Sequence, residues 1–400
     1  MATSVLYRSS LPDYTPRDVE LDRLDSTTSP SPSILSAPPA YDDAAPSPGS
    51  FHPTVALQIE TRGKSWCSLP LPLRPDPIPI FTLETDQRIP TFTSFRPNRG
   101  SGSCYLLPSS DPPASSSSGT LPVLSTTTYR FGPSRPPCVR LFSPHSYSGR
   151  PGGGIPRSVL DELLFPSSSS SSSSSNSNSD PDSDDQGLGH YGIQPWDSFT
   201  ITSLGLLTRA VSFRTRLGTF QWRYASKRER EREREALLSS SMQGNSNNNS
   251  NNNNNNNNNN NDLDVASLLV LERVVRVAHA HNDAAGGRGS TSSSSSRRRR
   301  SRDKEEEVRM AVAKFVRGAG TRTEGSSRSS AGNGGRLLMD LGLWDSEEER
   351  QASGAGGKEE REMAAVMVVT TCLVMLKREV DRRRAQQIAI MAGVLGGGGS

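Results

Sequence analysis

The sequence predicts a mainly β fold, in which a closed or nearly closed β-barrel surrounds one buried C-terminal helix. Two observations carry this prediction. Short apolar or alternating segments recur between Pro- and Gly-rich turns from residue 55 onward, which is typical of all-β sheets and barrels. The segment 359–391 contains no Pro or Gly and is apolar on every side in its middle turns. A helix of that kind must be enclosed by other atoms.

Composition predicts one domain with disordered additions. Only 32% of the 400 residues are hydrophobic and 6% are aromatic, so much of the chain is not expected to fold. Subtracting the segments of biased composition leaves roughly 220–250 residues, enough for the core of a single domain. Residues 1–50 are rich in Pro, Ser and Asp without an apolar period and are predicted to be a disordered tail. The single domain is predicted to span 51–394, before a flexible Gly-rich end at 395–400. Disordered inserts are predicted near 166–187, 227–262, 284–305 and 345–358.

The strands are predicted from alternation and β-branched content. In GTFQWRYA, Phe220, Trp222 and Tyr224 fall on one face, and Gln221 and Arg223 on the other. The segment 267–277 is either a strand or a short helix. The predicted strands are 55–60, 78–83, 104–107, 127–131, 139–142, 198–203, 210–215, 218–225, 267–277 and 336–341. The charged run 228–235 is interpreted as a solvated extension of a loop, although i, i+4 pairs would support a helix.

The helix predicted over 359–391 contains the longest apolar stretch of the chain, MAAVMVVTTCLVML at 363–376. Because a helix needs about 20 apolar residues to cross a bilayer, this stretch predicts a core helix and no transmembrane span. Beyond Lys377 the helix is expected to be solvated. The β-branched residues leave open a strand over 366–371.

Charge and cysteine content exclude several functional classes. The net charge of +4 is small and both signs are interleaved, so no nucleic acid partner is expected. The four cysteines are far apart in sequence, which argues against a zinc module or a disulfide scaffold. The first residues lack a secretory apolar core, so we expect a cytoplasmic location, with nuclear or membrane-peripheral locations left open. No cofactor is predicted.

Three segments carry a resemblance to known proteins. LLTRAVSFRTRLGTFQWRYA (206–225), SRSSAGNGGRLLMDL (327–341) and VMVVTTCLVMLKREVDRRR (366–384) resemble segments of uncharacterised proteins of filamentous fungi, over about half of the chain. The combination of many short strands with an all-round apolar C-terminal helix resembles the tubby-like superfold, which also includes the LURP-one-related and phospholipid scramblase families. That resemblance implies a barrel closed on its helix and a lipid-binding surface. No phosphoinositide-contacting motif can be matched residue by residue.

The sharpest short motifs lie in the tail. Pro38 and Pro39 precede Tyr41 in a PPxY motif, and Leu11-Pro12-Asp13-Tyr14 fits the related LPxY form. Consecutive prolines preset a polyproline II ridge that docks in an aromatic groove at low entropic cost, and the Tyr fills a second pocket. These motifs predict a WW-domain partner such as a ubiquitin ligase; the alternative is chance in a Pro-rich segment.

Other motifs are less specific. A basic barrel face for anions or anionic lipid is predicted from five arginines: Arg209, Arg214, Arg216, Arg223 and Arg336. They are alternatively solubilising groups. The run at 297–302 is either a nuclear signal or a solvated insert. His279 and His281 beside Asp283 are too few for a metal site. The glycines of 329–336 and 354–358 lack phosphate-loop spacing and favour turns.

These observations support three hypotheses of function. The first is a non-enzymatic adaptor whose tail binds WW domains. The second is peripheral binding of anionic lipid, such as a phosphoinositide, by the basic barrel face. The third is an enzyme with its site in the barrel mouth, although the sequence shows no GxSxG or HExxH motif and no catalytic residue is predicted.

Overall fold

The computed structural model describes thirteen stretches of the chain, and Pro48–Ser400 forms one compact unit. The described stretches are residues 51–71, 76–83, 89–97, 102–109, 120–129, 135–144, 155–156, 159–160, 194–205, 208–243, 265–277, 306–344 and 356–396. Both tail motifs, the basic run at 297–302 and the His279/His281 pair lie outside them.

The described residues form a 13-stranded antiparallel sheet and a two-stranded one. The large sheet has the order β10-β11-β12-β13-β14-β15-β1-β2-β3-β4-β6-β7-β9, and β5 pairs with β8. The strands are β1 Val55–Ile59, β2 Ile78–Thr82, β3 Phe92–Phe95, β4 Cys104–Pro108, β5 Thr120–Leu121, β6 Ser125–Thr128, β7 Cys138–Leu141, β8 Ile155–Pro156, β9 Asp197–Thr200, β10 Thr202–Ser203, β11 Val211–Thr215, β12 Gly218–Tyr224, β13 Val265–Val277, β14 Glu306–Gly318 and β15 Gly335–Met339.

The large sheet curls into a nearly closed barrel. Strands β9 and β10 are consecutive in the chain, with the buried Ile201 between them, and they pair with opposite ends of the sheet. Side chains complete the junction: the rings of Phe199 and Phe213 stack at 5.2 Å, and the backbone N–H of Arg216 donates to Asp197 Oδ2 at 2.8 Å. The predicted barrel is therefore confirmed.

The C-terminal helix α2, Gly356–Gly396, lies in the core of this barrel. Its apolar residues between Met363 and Leu376 belong to the same buried cluster as the inward-facing strand residues. Trp222 Nε1 donates to Thr371 Oγ1 at 3.0 Å. The strand alternative for 366–371 is wrong, because only a helix satisfies its own backbone groups when side chains enclose it on all sides.

A second helix, α1 Lys227–Gln243, lies against β13 on the outside of the barrel. The interpretation of 228–235 as a loop is wrong, since these residues are helical, and the described part of the insert predicted at 227–262 is this helix. Ser226 and Glu229 form a capping box: Glu229 N donates to Ser226 Oγ at 3.3 Å, and Ser226 N donates to Glu229 Oε2 at 2.7 Å. Lys314 Nζ holds Glu233 at 2.6 Å.

The predicted strands are confirmed within a few residues, and 267–277 is a strand. Besides α1, the strands β3, β5, β8 and β14 were missed, and so was the burial of Glu379 and Gln387 in the part of α2 beyond Lys377. In β14 an extra residue, Val312, interrupts the pairing, since Leu271 pairs with Ala313 and Glu272 with Ala311. This bulge places Val312 and Ala313, which are adjacent, both in the core, and it breaks the alternation that predicts strands.

Candidate functional site

An open groove of about 550 Å³ lies where β12, the start of α1 and the start of β13 meet. Three arginines line it, and alanines, Leu268 and the Tyr224 ring supply apolar wall. The lining residues are Thr208, Arg209, Ala210, Arg223, Tyr224, Ala225, Arg230, Ala266, Ser267 and Leu268. Its arginine side chains define it as a candidate anion-binding groove, hereafter the arginine groove.

Arg223 is the most constrained of the three arginines. Strand alternation points it outward from the barrel, between α1 and β13. Its guanidinium contacts Glu229 and Glu272, each at 2.6 Å. Hydrogen bonds from Arg223 lower the pKa of Glu229 to about 2, and Glu229 in turn raises the pKa of Arg223. Arg223 therefore serves first to dock α1.

The other two arginines make fewer contacts with the rest of the protein. Arg209 is exposed and its guanidinium lies 5.4 Å from the Tyr224 ring centroid. Arg230 Nη1 makes a long contact of 3.5 Å with the carbonyl of Ala266. Arg230 Nε is buried and has no hydrogen-bond partner among the described residues. Arg209 and Arg230 are therefore the groups with free capacity to bind an anion.

Beneath the groove lies a buried ion pair between Arg317 of β14 and Glu379 of α2. The guanidinium binds the carboxylate with two hydrogen bonds, at 2.6 and 2.7 Å. Two residues that line the groove reach this pair: Tyr224 donates its hydroxyl hydrogen to Glu379 Oε1, and Ser267 Oγ accepts from Arg317 at 3.1 Å. The groove floor is thus fastened directly to the central helix.

Burial alone would oppose ionisation of both partners of this pair. Burial raises the pKa of Glu379, but the hydrogen bonds and charge of Arg317 outweigh it, so that the pKa of Glu379 is lowered. Desolvation likewise opposes the charge on Arg317, and Glu379 reverses that effect and raises its pKa. Burial, with the nearby carboxylate, also raises the pKa of Tyr224. We conclude that Glu379 is ionised and Tyr224 neutral at physiological pH.

A glycine turn completes the carboxylate site. Gly332 N donates to Glu379 Oε2 at 3.0 Å. Gly332 has φ +67°, and a Cβ there would lie 2.6 Å from the carbonyl oxygen of Leu376, so this close approach to α2 requires glycine. The segment 329–336 was considered as a phosphate-binding loop, with a turn as the favoured alternative. It is a turn, and its backbone binds the carboxylate of Glu379.

The structure brings together only part of the predicted basic face. Arg209 and Arg223 line the arginine groove. Arg214 is exposed on β11, and Arg216 lies 5.8 Å from the Trp196 ring centroid at the barrel junction. Arg336 lies on β15, which is separated from β12 by β13 and β14.

Sequence reasoning missed Arg230, Arg317 and Glu379. Arg230 lies in the run that was interpreted as a loop, and Arg317 follows the bulge of β14. Glu379 lies in the part of α2 that was expected to be solvated. A usable signal was present for Glu379, since it follows the apolar stretch by one turn and Lys377 and Arg378 precede it.

Among the described residues, the side chains of α2 and of the surrounding strands pack in one buried cluster. Ser125 Oγ and Thr370 Oγ1 lie 2.7 Å apart, next to a gap of about 10 Å³, which is at the lower limit for one water molecule. Among the described residues, no three His, Cys, Asp or Glu side chains are placed to hold a metal ion. No helix in the described stretches combines the length and apolarity needed to cross a membrane.

Comparison with known proteins adds no relative. No family model matches the sequence, and no curated protein and no solved structure shows significant similarity to the chain.

Proposed function

We propose that the protein is a non-enzymatic interaction protein whose N-terminal segment presents two ligands to WW domains, such as those of a ubiquitin ligase. The observation that carries this proposal is the presence of two Tyr-containing Pro motifs, at Leu11–Tyr14 and Pro38–Tyr41, within residues 1–50. The enclosed helix α2 supports it, because a barrel whose interior is occupied by its own helix is suited to presenting surfaces. We include in this proposal that the barrel belongs to the tubby-like superfold, which is supported by the C-terminal helix enclosed in the barrel.

Two motifs in one segment can bind two WW domains at the same time. Residues 15–37 separate them, and a flexible chain of that length would have an r.m.s. end-to-end distance of about 25 Å. A partner with tandem WW domains would then gain avidity, because binding of the first motif raises the effective concentration of the second. Single-motif variants should therefore lose less affinity for a single WW domain than for a tandem pair.

The test is binding of the full-length protein to purified single and tandem WW domains. The Tyr14→Ala/Tyr41→Ala double variant should lose about tenfold or more in affinity, equivalent to about 1.4 kcal/mol. Tyr7→Ala, a tail tyrosine outside both motifs, is the matched control and should bind like the parent. Equal binding by the double variant and the parent would remove the proposal.

The second candidate function is binding of an anionic lipid headgroup, such as a phosphoinositide, and the arginine groove favours it. Arg209 and Arg230 have unused hydrogen-bonding capacity, and Thr208 and Ser267 add hydroxyls. Guanidinium groups suit phosphate oxygens in charge and in fork geometry. Arg214, Arg216 and Arg336 remain part of the proposed basic face only as long-range charge.

Titration of the protein with a soluble inositol phosphate tests this candidate. An Arg209→Ala/Arg230→Ala variant should bind about tenfold more weakly. Arg214→Ala, which removes an exposed arginine outside the groove, should match the parent. Absence of binding by the parent, or equal losses in the two variants, would assign these arginines to solubility alone.

A further inference from the structure

Exposed apolar side chains concentrate at the end of the barrel where α2 emerges. The described residues include twelve exposed large apolar side chains, and six of them come from two short stretches, 66–71 and 388–391. These six define the tip surface: Trp66 (46% exposed), Leu69 (70%), Leu71 (54%), Ile388 (48%), Ile390 (52%) and Met391 (43%). Clusters of this kind mark interaction surfaces, whereas single exposed apolar residues do not.

Specific hydrogen bonds join the two stretches. Gln387 is buried, and its Nε2 donates to the carbonyls of Trp66 at 2.6 Å and of Ser68 at 2.8 Å. Arg384 Nε donates to the carbonyl of Pro70 at 2.8 Å. Because the loop turns its carbonyls toward the helix, the apolar side chains of the tip surface are held outward in a fixed arrangement.

Lys64 fixes the loop from the other side. Its Nζ donates to the carbonyls of Leu69 at 2.6 Å and of Leu71 at 3.0 Å. The ammonium group is thus committed to ordering the backbone of the loop, and it lies within the fold, since Lys64 is 3% exposed.

Five arginines flank the tip surface along the chain, one in the loop before Lys64 and four on α2 before Gln387. The two acidic residues of α2 beyond Lys377 are already paired, Glu379 with Arg317 and Asp381 with Lys377. The guanidinium of Arg383 lies 4.4 Å from the Trp66 ring centroid. No described carboxylate forms an ion pair with any of these five arginines, which we call the cationic collar: Arg62, Arg378, Arg382, Arg383 and Arg384.

Shape and charge together indicate the partner. Within 385–393 every residue except Gln387 is exposed, so the end of α2 projects instead of lining a groove. A projecting apolar tip with a cationic collar is complementary to a surface that is anionic outside, apolar inside and deformable. Aromatic and aliphatic side chains beside basic ones are also the pattern of segments that lie in the membrane interface. We propose that the tip surface docks the barrel on anionic lipid bilayers, with its apolar side chains in the interface and the collar at the headgroups.

This docking surface lies at the same end of the barrel as the arginine groove. Tyr224, which lines the groove, hydrogen-bonds to Glu379, and Glu379 precedes Gln387 by two turns, or about 12 Å along the helix. Docking by the tip surface does not depend on WW binding. The second candidate function, headgroup binding by the arginine groove, would involve the same membrane but different residues. Variants of the tip surface and variants of the groove therefore distinguish the two proposals.

The experiment is sedimentation of the full-length protein with vesicles of phosphatidylcholine containing about one third phosphatidylserine, beside pure phosphatidylcholine vesicles. We expect binding only to the anionic vesicles, and its loss at about 0.5 M salt. Leu69→Ser/Leu71→Ser and Ile388→Ser/Met391→Ser should each weaken binding about tenfold or more. The matched control, Leu204→Ser/Leu343→Ser, alters residues 50% and 40% exposed elsewhere on the barrel and should not.

A second readout reports insertion directly. Brominated acyl chains in the same vesicles should quench part of the tryptophan fluorescence. Trp66→Phe should remove most of that quenching, because Trp222 and Trp344 are buried and the half-buried Trp196 lies at the barrel junction beneath Arg216. Unchanged melting temperatures would show that the serine variants fold, as expected for exposed positions.

Three results would overturn the proposal. The first is no binding to anionic vesicles at low salt. The second is equal binding by the tip and control variants, including the case in which only Arg209→Ala/Arg230→Ala reduces binding. The third is concentration-dependent dimerisation that the tip variants abolish without any vesicle binding, which would assign the surface to a second copy of the chain.

Discussion

The two halves of α2 are held in place by different physical means. In residues 363–376 every side chain except that of Ala365 is buried, and the surrounding strands contribute aliphatic and aromatic groups. From Lys377 to Gly393 most residues are partly or fully exposed, and the contacts are polar and specific, with Glu379 and Gln387 buried. The first half supplies hydrophobic free energy; the second supplies directional contacts.

This difference teaches how the helix is oriented inside the barrel. Hydrophobic burial is non-directional, so a segment apolar on every side gains little from one rotation over another. Thr370 and Thr371 provide weak directional contacts in the apolar half. The bidentate contact of Glu379 with Arg317 admits one rotation and one axial position, so we infer that the polar half sets the register of the apolar half.

The largest expected effect comes from placing a charge in the apolar half. Val369 is fully buried, so in Val369→Asp either the carboxylate loses its hydration without a partner or the domain opens. The expected cost exceeds about 5 kcal/mol, comparable to the whole stability of a domain. Circular dichroism should show no cooperative melting. Ala385→Asp, at an exposed position of the same helix, should melt like the parent; cooperative melting of both variants would contradict an enclosed helix.

The next effect comes from breaking the ion pair that holds the polar half. Glu379→Gln leaves Arg317 buried without its counter-charge, which costs about 3–5 kcal/mol. Glu360→Gln, an exposed glutamate of the same helix, is the control and should change stability little. Urea unfolding measures both. Arg317→Met/Glu379→Met should be less destabilised than the sum of its single variants, because neither charge is then left alone.

The same pair has a defined pH dependence. The pKa of Glu379 is lowered from 4.5 in the folded state, so its carboxylate contributes stability above pH 4.5, and this contribution is lost as pH falls through the folded-state pKa. The urea midpoints of the parent and Glu379→Gln should therefore differ most near neutral pH and converge in acid. A difference that stays constant down to pH 3 would show that ionisation of Glu379 is not what stabilises the helix.

The fold was predictable where periodicity alone decided it. Phe220 and Trp222 alternate with polar residues and are fully buried, and the apolar stretch of α2 has an unbroken helical pattern. Strand β14 was not predictable in this way, because the bulge at Val312 changes the buried face within one strand. Helix α1 was misjudged because its stability comes from tertiary ion pairs with Arg223 and Lys314, which sequence does not display.

The candidate site was predictable only in part for the same reason. Arg209 and Arg223 were selected from their positions next to predicted strands, and both line the groove. Arg230 and Ser267 reach it only because α1 folds back onto β13. The tip surface depends on contacts between residues more than 300 positions apart, such as Gln387 with Trp66, and no local pattern encodes such contacts.

The smallest effect, and the one that best isolates the polar half, comes from Gln387→Ala. The substitution removes the Nε2 donor to the carbonyls of Trp66 and Ser68, worth about 1–3 kcal/mol at a buried site. Because these bonds order a surface loop and not the core, the loss should appear as local opening with little change in melting temperature. Hydrogen exchange in residues 65–71 should accelerate about tenfold or more, while exchange in β12 and the apolar half of α2 stays unchanged.

Gln386→Ala, the exposed neighbour, should leave the loop as in the parent. Equal exchange in both variants would mean that the loop holds its shape without the helix, and the tip surface would then be a property of the loop alone.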